Sequence, residues 1–324
     1  MNEKKIISLA QKYFKNNKNN LIKSIGDDTA VYKASGKYQL FTSDMLIDKT
    51  HFILEKIPAY KLGWKALAVN ISDIASMGGI PDFALLSLAI NRKITYSWLE
   101  DFYNGLSDCA NTYNVNIIGG DTVSSKSDLV INIALTGNAK KPIYRNKVKE
   151  DYILTNTGYL GLSALGLYFI LNNIDIGTKE SFFIEKHYKP IPKVEEGLFL
   201  ANKIKTLSML DASDSLYTSI KIMCEQNKLG FELNKNNNLI SKELKEYCTK
   251  NNLNPFEFII FGGEDYELIM AMSENDFYNL KSLYLEKFNF ELPIIGKFTN
   301  KHKKILEICD NNIIELKDNS FTHF

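Results

Sequence analysis

The fold class predicted for this chain is α/β of the α+β kind, in two domains, and three observations predict it. At 324 residues the chain exceeds what one ordinary hydrophobic core accommodates. Its first part alternates apolar patterns of helical and strand period. Between Gly137 and Asp151 it turns polar before a new strand and helix begin, so the domains are expected at 1–138 and 139–324. A hydrophobic content of 45% and an aromatic content of 12% supply enough side chains for a core in each.

The elements follow in order. Ile6, Ile7, Ala10, Tyr13 and Phe14 fall at helical spacing, with no continuous apolar run before them, so the beginning of the chain reads as an amphipathic helix rather than a leader. Residues 29–33 and 38–43 read as short strands joined through Ser35-Gly36. Leu62, Ala66, Val69, Ile71, Ile74 and Met77 predict a helix over 59–77, stopped by Gly78-Gly79 and Pro81. A strand is expected at 83–90. A helix over 97–113 follows, opened by a capping box of Ser97 and Glu100. It carries Trp98, Leu99, Phe102, Leu106, Cys109, Ala110 and Tyr113 broadly on one side. Strands at 115–118 and 129–136 complete the first domain, and a strand at Tyr152–Thr155 starts the second.

Charge and cysteine usage narrow the function classes. Thirty-nine basic and 38 acidic side chains leave a net charge of +1, and no dense Lys/Arg stripe appears, so a nucleic-acid partner is not expected. Lys15-Asn16-Asn17-Lys18-Asn19-Asn20 and Asn234 to Asn238 read as solvated loops. The four cysteines, Cys109, Cys224, Cys248 and Cys309, form no CxxC pair, which fits a reducing compartment and a cytoplasmic location. The longest apolar stretch, Tyr159 to Leu171, is broken by Gly and Ser and too short for a bilayer, so no membrane association is expected.

Phosphate chemistry shows in five acidic segments. These are Ile25-Gly26-Asp27-Asp28-Thr29-Ala30, Thr42-Ser43-Asp44, Ser72-Asp73, Gly119-Gly120-Asp121-Thr122 and Asp211-Ala212-Ser213-Asp214. Each sets acids beside small residues that let a ligand approach the backbone, and Mg²⁺ favours carboxylates together with phosphates and water. Any one of them alone reads more readily as a turn or an N-cap. Asp44 and Asp121 each follow an apolar strand, a usual place for ligand groups in open sheets. Asp73 falls in the last turns of a helix, where the dipole disfavours an anion unless a cation offsets it. The phosphate-binding G-x-x-x-x-G-K-[ST], the G-x-G-x-x-G and the protein-kinase signatures are all absent.

Taken in order, these segments resemble the thiamine-monophosphate kinase family, within the superfamily named for aminoimidazole ribonucleotide synthetase. The matching stretches are IGDDTAV (25–31), TSDMLIDKTHF (42–52), GWKALAVNISDIASMGGIP (63–81), IIGGDT (117–122), LDASDSL (210–216), NPFEFIIFGGEDYELI (254–269) and the terminal THF (322–324). The resemblance implies a two-domain aminoimidazole ribonucleotide synthetase-like fold, with an N-terminal mixed sheet and helices and a C-terminal α/β domain. The first domain would bind ATP and Mg²⁺ and dimerise through its sheet, and the second would complete the active-site cleft. Asp28, Thr42, Ser43, Asp44, Asp73, Asp121, Asp211 and Asp214 look like the ligands of several Mg²⁺ ions. Tyr113, Gly120, Asp121, Arg145 and Ser213 look like ATP contacts, with Tyr113 fitting the apolar side of its helix equally well. His51, Glu264 and Phe321 resemble the thiamine-phosphate contacts, and Asp44, Asp121 and Arg145 are the expected catalytic residues.

The implied reaction moves the γ-phosphate of ATP onto the phosphate of thiamine monophosphate. That acceptor has a second pKa of ~6, so it is largely a dianion at neutral pH and needs no strong base. It needs cations that bring two polyanions into line. The chain departs from the family pattern at Ser215, where Gly is usual, and at Gly161-Leu162-Ser163, where Gly-Asp-Ser is usual. Lys147 and Glu150 replace glycines, and Phe321 stands where Trp or Tyr is common. Two rivals compete with the kinase. One is another ATP-dependent synthetase of the superfamily; the lack of any cysteine before Cys109 argues against the selenophosphate branch. The other is a non-catalytic thiamine-phosphate-binding protein.

Overall fold

The computed structural model describes residues 20–34, 37–309 and 312–321. The expected N-terminal helix, the Ser35-Gly36 joint and the terminal THF segment lie outside the described residues. The chain divides into two compact units: the described parts of Asn16–Pro142 with Tyr188–Val194, and Ile143–His187 with Glu195–Phe324. The polar stretch from Gly137 to Asp151 therefore spans the change of unit, and a short later segment returns to the first.

The first unit is built on a six-stranded sheet. Its strands are β1 (Leu21–Lys23), β2 (Ala30–Ala34), β3 (Lys37–Ile47), β4 (Ile80–Ile90), β5 (Asn116–Ser124) and β6 (Val130–Ala139), in the order β1-β2-β3-β6-β4-β5. Only β4 and β5 run parallel, and the helix α2 (Tyr96–Tyr113) supplies the crossover that parallel neighbours require. Helix α1 (Ala59–Ser76) packs against β3, β6 and α2 and is buried along most of its length. The two helices meet backbone to backbone at their glycines. A Cβ on Gly63 would come 1.9 Å from the Phe102 carbonyl oxygen, and one on Gly105 would come 1.7 Å from that of Tyr60. The expected cap of α2 is corrected: the helix begins at Tyr96, and Thr95, not Ser97, accepts from the Trp98 amide at 3.2 Å. The extended backbone of Thr95 places its hydroxyl over the first turn, one residue before any helical position.

Among the described residues, one face of this sheet is covered and the other is largely exposed. Leu40, Leu46, Ile131, Ile133 and Leu135 are buried beneath α1. Phe41, Met45, Phe83 and Leu85, on the opposite face, remain 42–50% exposed. The segment Tyr188–Val194 lies on the helices. Trp64 Nε1 donates to Pro190 O at 2.7 Å, Tyr113 Oη to Pro192 O at 3.3 Å, and Tyr188 Oη to Lys56 O at 3.1 Å. Lys189 Nζ sits 4.2 Å from the centre of the Trp64 ring, a cation–π contact.

The second unit holds a seven-stranded sheet. Its strands are β7 (Ile153–Asn156), β8 (Ser208–Asp211), β9 (Gly230–Leu233), β10 (Leu268–Met272), β11 (Gly296–Thr299), β12 (Ile305–Cys309) and β13 (Asn312–Glu315). They lie in the order β13-β12-β9-β11-β7-β10-β8. Strands β7, β8 and β10 are buried throughout, as short apolar runs covered on both faces should be. The helices are α3 (Leu162–Asn172), α4 (Ser181–Tyr188), α5 (Val194–Lys203), α6 (Leu216–Asn227), α7 (Lys242–Lys250), α8 (Pro255–Phe261) and α9 (Glu274–Phe288). Leu165, Phe169, Ile220, Met223, Leu244 and Ile259 bring α3, α6, α7 and α8 into one core with Leu154, Phe231 and Ile269 of the sheet. Among the described residues no helix is long and apolar enough to cross a membrane.

Candidate active site

The acids of the first unit gather where β3 passes α1. Alternation along β3 turns Thr42 and Asp44 to the helix side and Phe41, Ser43 and Met45 to the other. Thr42 Oγ1 donates to Asp73 Oδ2, and the Asp44 amide donates to Asn70 Oδ1 at 3.0 Å. Ser76 Oγ lies 2.8 Å from Asp28 Oδ2 and 2.8 Å from Asp73 O. Asn70, Asp73 and Ser76 recur at three-residue spacing, so one helix row meets the strand. Burial, and after it the charge of Asp28, push the Asp44 carboxyl up to about 6. Two ionised carboxyls that raise one another's cost of ionisation favour a cation between them.

Asp121 is not in this group. The register pairs Asp121 with Ser87, Ser87 with Asn132, and Asn132 with Met45. Directly paired residues share a face, so Asp121 shares the face of Ser43 and Met45 and not that of Asp44. Asn132 Nδ2 bridges Ser43 Oγ and Asp44 O, each at 3.0 Å. Both acids lie inside strands rather than after them, because β3 and β5 run on past the expected ends at 43 and 118. Gly120 has φ 153°, and a Cβ there would come 1.6 Å from the Leu86 carbonyl oxygen. His51 Nδ1 accepts from the Ile47 amide at 3.0 Å, so a neutral ring carries its proton on Nε2 and presents a donor there. Tyr113 spends its hydroxyl on Pro192 and its ring edge on Trp64, 6.3 Å between centroids.

The acids of the second unit are arranged differently. Asp211 ends β8, and Ser213 Oγ donates to its Oδ1 at 3.2 Å. The loop 262–267 runs alongside: Ala212 N donates to Glu267 O at 2.7 Å, Tyr266 N to Ala212 O at 3.0 Å, and Glu264 N to Ser213 O at 2.8 Å. Glu264 and Tyr266 hold left-handed backbone, φ 61° and 52°. Asp265 accepts from Gly161 N at 2.6 Å and Ser163 N at 2.9 Å, closing the first turn of α3. Burial pushes its carboxyl up to about 7, against the pull of those two donors. His187 Nδ1 lies 3.4 Å from Glu264 Oε2 and 3.0 Å from Ser163 Oγ.

The departures from the family pattern fit locally. Ser215 adopts φ −71° and ψ 157°, which any residue tolerates, and N-caps α6 by accepting from the Thr218 amide at 3.0 Å. Leu162 is buried in the core of the unit, and Asp265 serves the α3 amides beside it. Lys147 donates its amide to Ser208 Oγ at 2.8 Å, and Asn227 Nδ2 donates to Arg145 O at 3.2 Å, so side chains hold the loop that carries Arg145. Asp214 is exposed. Phe321 is 73% exposed, while Ser320 before it lies 2.6 Å from Ser215 Oγ.

Among the described residues no three His, Cys, Asp or Glu side chains approach closely enough to enclose a metal by themselves. The donors at Asp28, Thr42, Asp44 and Asp73 are nonetheless all oxygen, the set that suits a Mg²⁺ ion completed by water and phosphate. Sequence reasoning passed over Asn70, Ser76, Asn132, Ser163, Asp265 and His187. The polar row Asn70–Asp73–Ser76 in an otherwise apolar helix was a readable signal for two of them. The others depend on contacts distant in sequence.

Residues 26–139 match the family described as AIR synthase related protein, N-terminal domain. The chain is 35% identical to the thiamine-monophosphate kinase of Bacillus subtilis, with 93% of each chain covered. It is 35% identical to that of Buchnera aphidicola subsp. Acyrthosiphon pisum, with 98% of each covered. Among solved structures it resembles AaThiL complexed with AMPPCP and TMP, at a TM-score of 0.86 and 26% identity over 100% of this chain and 97% of that one. Identity of this order along almost the whole length has one meaning: the chain belongs to the thiamine-monophosphate kinase family.

Proposed function

We propose that this chain transfers the γ-phosphate of ATP directly to the phosphate of thiamine monophosphate, giving thiamine diphosphate and ADP, in a Mg²⁺-dependent in-line reaction. The observation that carries the reading is the convergence of Asp28, Thr42, Asp44 and Asp73 at one crossing of β3 and α1. Those residues would hold one Mg²⁺, and Asp121, Ser43, Asp211 and Asp214 would serve further ions rather than this one. Bound there, Mg²⁺ supplies positive charge against the phosphate oxygens. Arg145 adds a guanidinium to the same task. Gly120, Asp121 and Ser213 present backbone and short side chains to the nucleotide, with Tyr113 at its side. His51 offers its Nε2 donor, Glu264 a carboxylate and Phe321 a ring face to the substrate. No residue need remove a proton, because the acceptor oxygen is already anionic. Positioning and charge carry the catalysis, and no phosphoenzyme forms.

The working form in this reading is a homodimer joined through the uncovered sheet face. Phe41, Met45, Phe83 and Leu85 form an apolar patch of the kind that marks such contacts. A cytoplasmic site of action accords with the free, buried thiols of Cys109, Cys224 and Cys248. A coupled ADP-release assay tests the activity. ADP formed from ATP only when thiamine monophosphate and Mg²⁺ are both present is the expected result. Binding of thiamine monophosphate without ADP release would leave a non-catalytic binder instead.

A further inference from the structure

Glu264 is held on three sides. Its backbone is left-handed at φ 61°, a conformation that L residues adopt only where surroundings impose it. Its amide is committed to Ser213 O at 2.8 Å. Its Oε2 lies 3.4 Å from Nδ1 of His187, a ring only 4% exposed. The same Nδ1 lies 3.0 Å from Oγ of Ser163, whose own amide donates to Asp265 at 2.9 Å. Neighbouring acids 264 and 265 are thus tied to one helix end by two routes. A bare Nδ1 lone pair facing a carboxylate would repel it. The ring proton therefore belongs on Nδ1, shared between Glu264 Oε2 and Ser163 Oγ.

We propose that His187 is a positioning residue for Glu264, with Ser163 fixing the ring. The inference rests on the reading of Glu264 as the carboxylate that meets the thiamine-phosphate substrate. A donated Nδ1–H keeps that carboxylate ionised and turned one way. Two carboxylate oxygens have lone pairs enough to accept from a ligand as well, so the arrangement presents directed negative charge to a cation with amine donors. His187 thereby sets affinity for that substrate and leaves the phosphate chemistry alone.

Steady-state kinetics of His187→Gln, His187→Asn, Glu264→Gln and the His187→Gln/Glu264→Gln double variant test this, with melting temperatures measured in parallel. The amide nitrogen of Asn reaches the Nδ1 position, while that of Gln reaches the Nε2 position. His187→Gln is expected to raise KM for thiamine monophosphate roughly tenfold, the scale of one charge-assisted hydrogen bond. KM for ATP and kcat should stay within about twofold, and His187→Asn should recover most of the loss. The double variant should be no worse than Glu264→Gln. Three results overturn the proposal and are distinguishable. Glu264→Gln with unchanged KM for thiamine monophosphate removes the reading beneath it. A normal KM in His187→Gln beside a raised one in Glu264→Gln removes His187 alone. Equal damage to both substrates' KM and to the melting temperature, unrelieved by His187→Asn, makes the ring structural.

Discussion

The acids of the two units contrast in how they are held. In the first unit Asp44 and Asp73 come from a strand and a helix row, Asp28 comes from the bend before β2, and hydroxyl and amide groups lie between them. There burial, and after it the charge of Asp28, raises the cost of ionising Asp44; in the second unit burial does the same to Asp265, against its two amide donors. In the second unit Glu264, Asp265 and Glu267 come from one loop and have partners within the unit: two backbone amides for Asp265, an imidazole 3.4 Å from Glu264 and the Thr157 hydroxyl, 2.7 Å away, for Glu267. A cluster that is costly without a cation suits metal binding. A cluster whose acids are each hydrogen-bonded or closely paired within one loop suits the aiming of a single side chain.

The largest effect expected from this contrast is at Asp44. Asp44→Asn should lower turnover in saturating Mg²⁺ by roughly 10²–10³-fold, the scale of removing a strong electrostatic stabiliser. The melting temperature should hold or rise, since the change relieves repulsion with Asp28. Turnover within a few-fold of the parent would take Asp44 out of contact with the metal. Next comes Glu264→Gln, with a loss of about 1–3 kcal/mol in thiamine-monophosphate binding by calorimetry and little change for ATP. A variant that loses ATP instead would move Glu264 to the nucleotide side.

The third test concerns pH. The Asp265 carboxyl keeps its proton up to about 7 in the folded chain, against an ordinary value of 3.8. Between those limits the folded state binds more protons than the unfolded, so this group's contribution to stability falls as pH rises through that window. Melting curves across it should therefore slope less for Asp265→Asn than for the parent. Equal slopes would mean that the two amide donors outweigh burial. The smallest effect calibrates the others from outside both clusters. Trp64→Phe removes the donor to Pro190 O and should cost about 1 kcal/mol in urea unfolding, with kcat unchanged. A larger loss would show that the Tyr188–Val194 segment does more than cover the helices.

Much of this was legible in the sequence, and unevenly so. Helix α1 and its stop at Gly78 follow from local pattern, and Gly78 does take φ 64°. The ordered acidic segments identified the family because each is short and local. What stayed hidden was pairing. That β6 lies between β3 and β4 is a matter of long-range register, and only that register separates Asp121 from Asp44 by sheet face. The return of Tyr188–Val194 to the first unit was equally hidden, since no local pattern shows where a segment docks. His187 was passed over for the same reason. Its partners are 24 and 77 residues away, on other elements.

The acceptor itself gives the most direct test of the account. The central claim is that an anionic phosphate oxygen, met by metal-held charge, replaces any general base. The measurement is kcat/KM for thiamine monophosphate and for thiamine, at one Mg²⁺ and ATP concentration, read by ADP release. The account predicts efficient transfer to thiamine monophosphate and no more than background with thiamine, whose hydroxyl would need a base. Comparable kcat/KM for the two acceptors would contradict it.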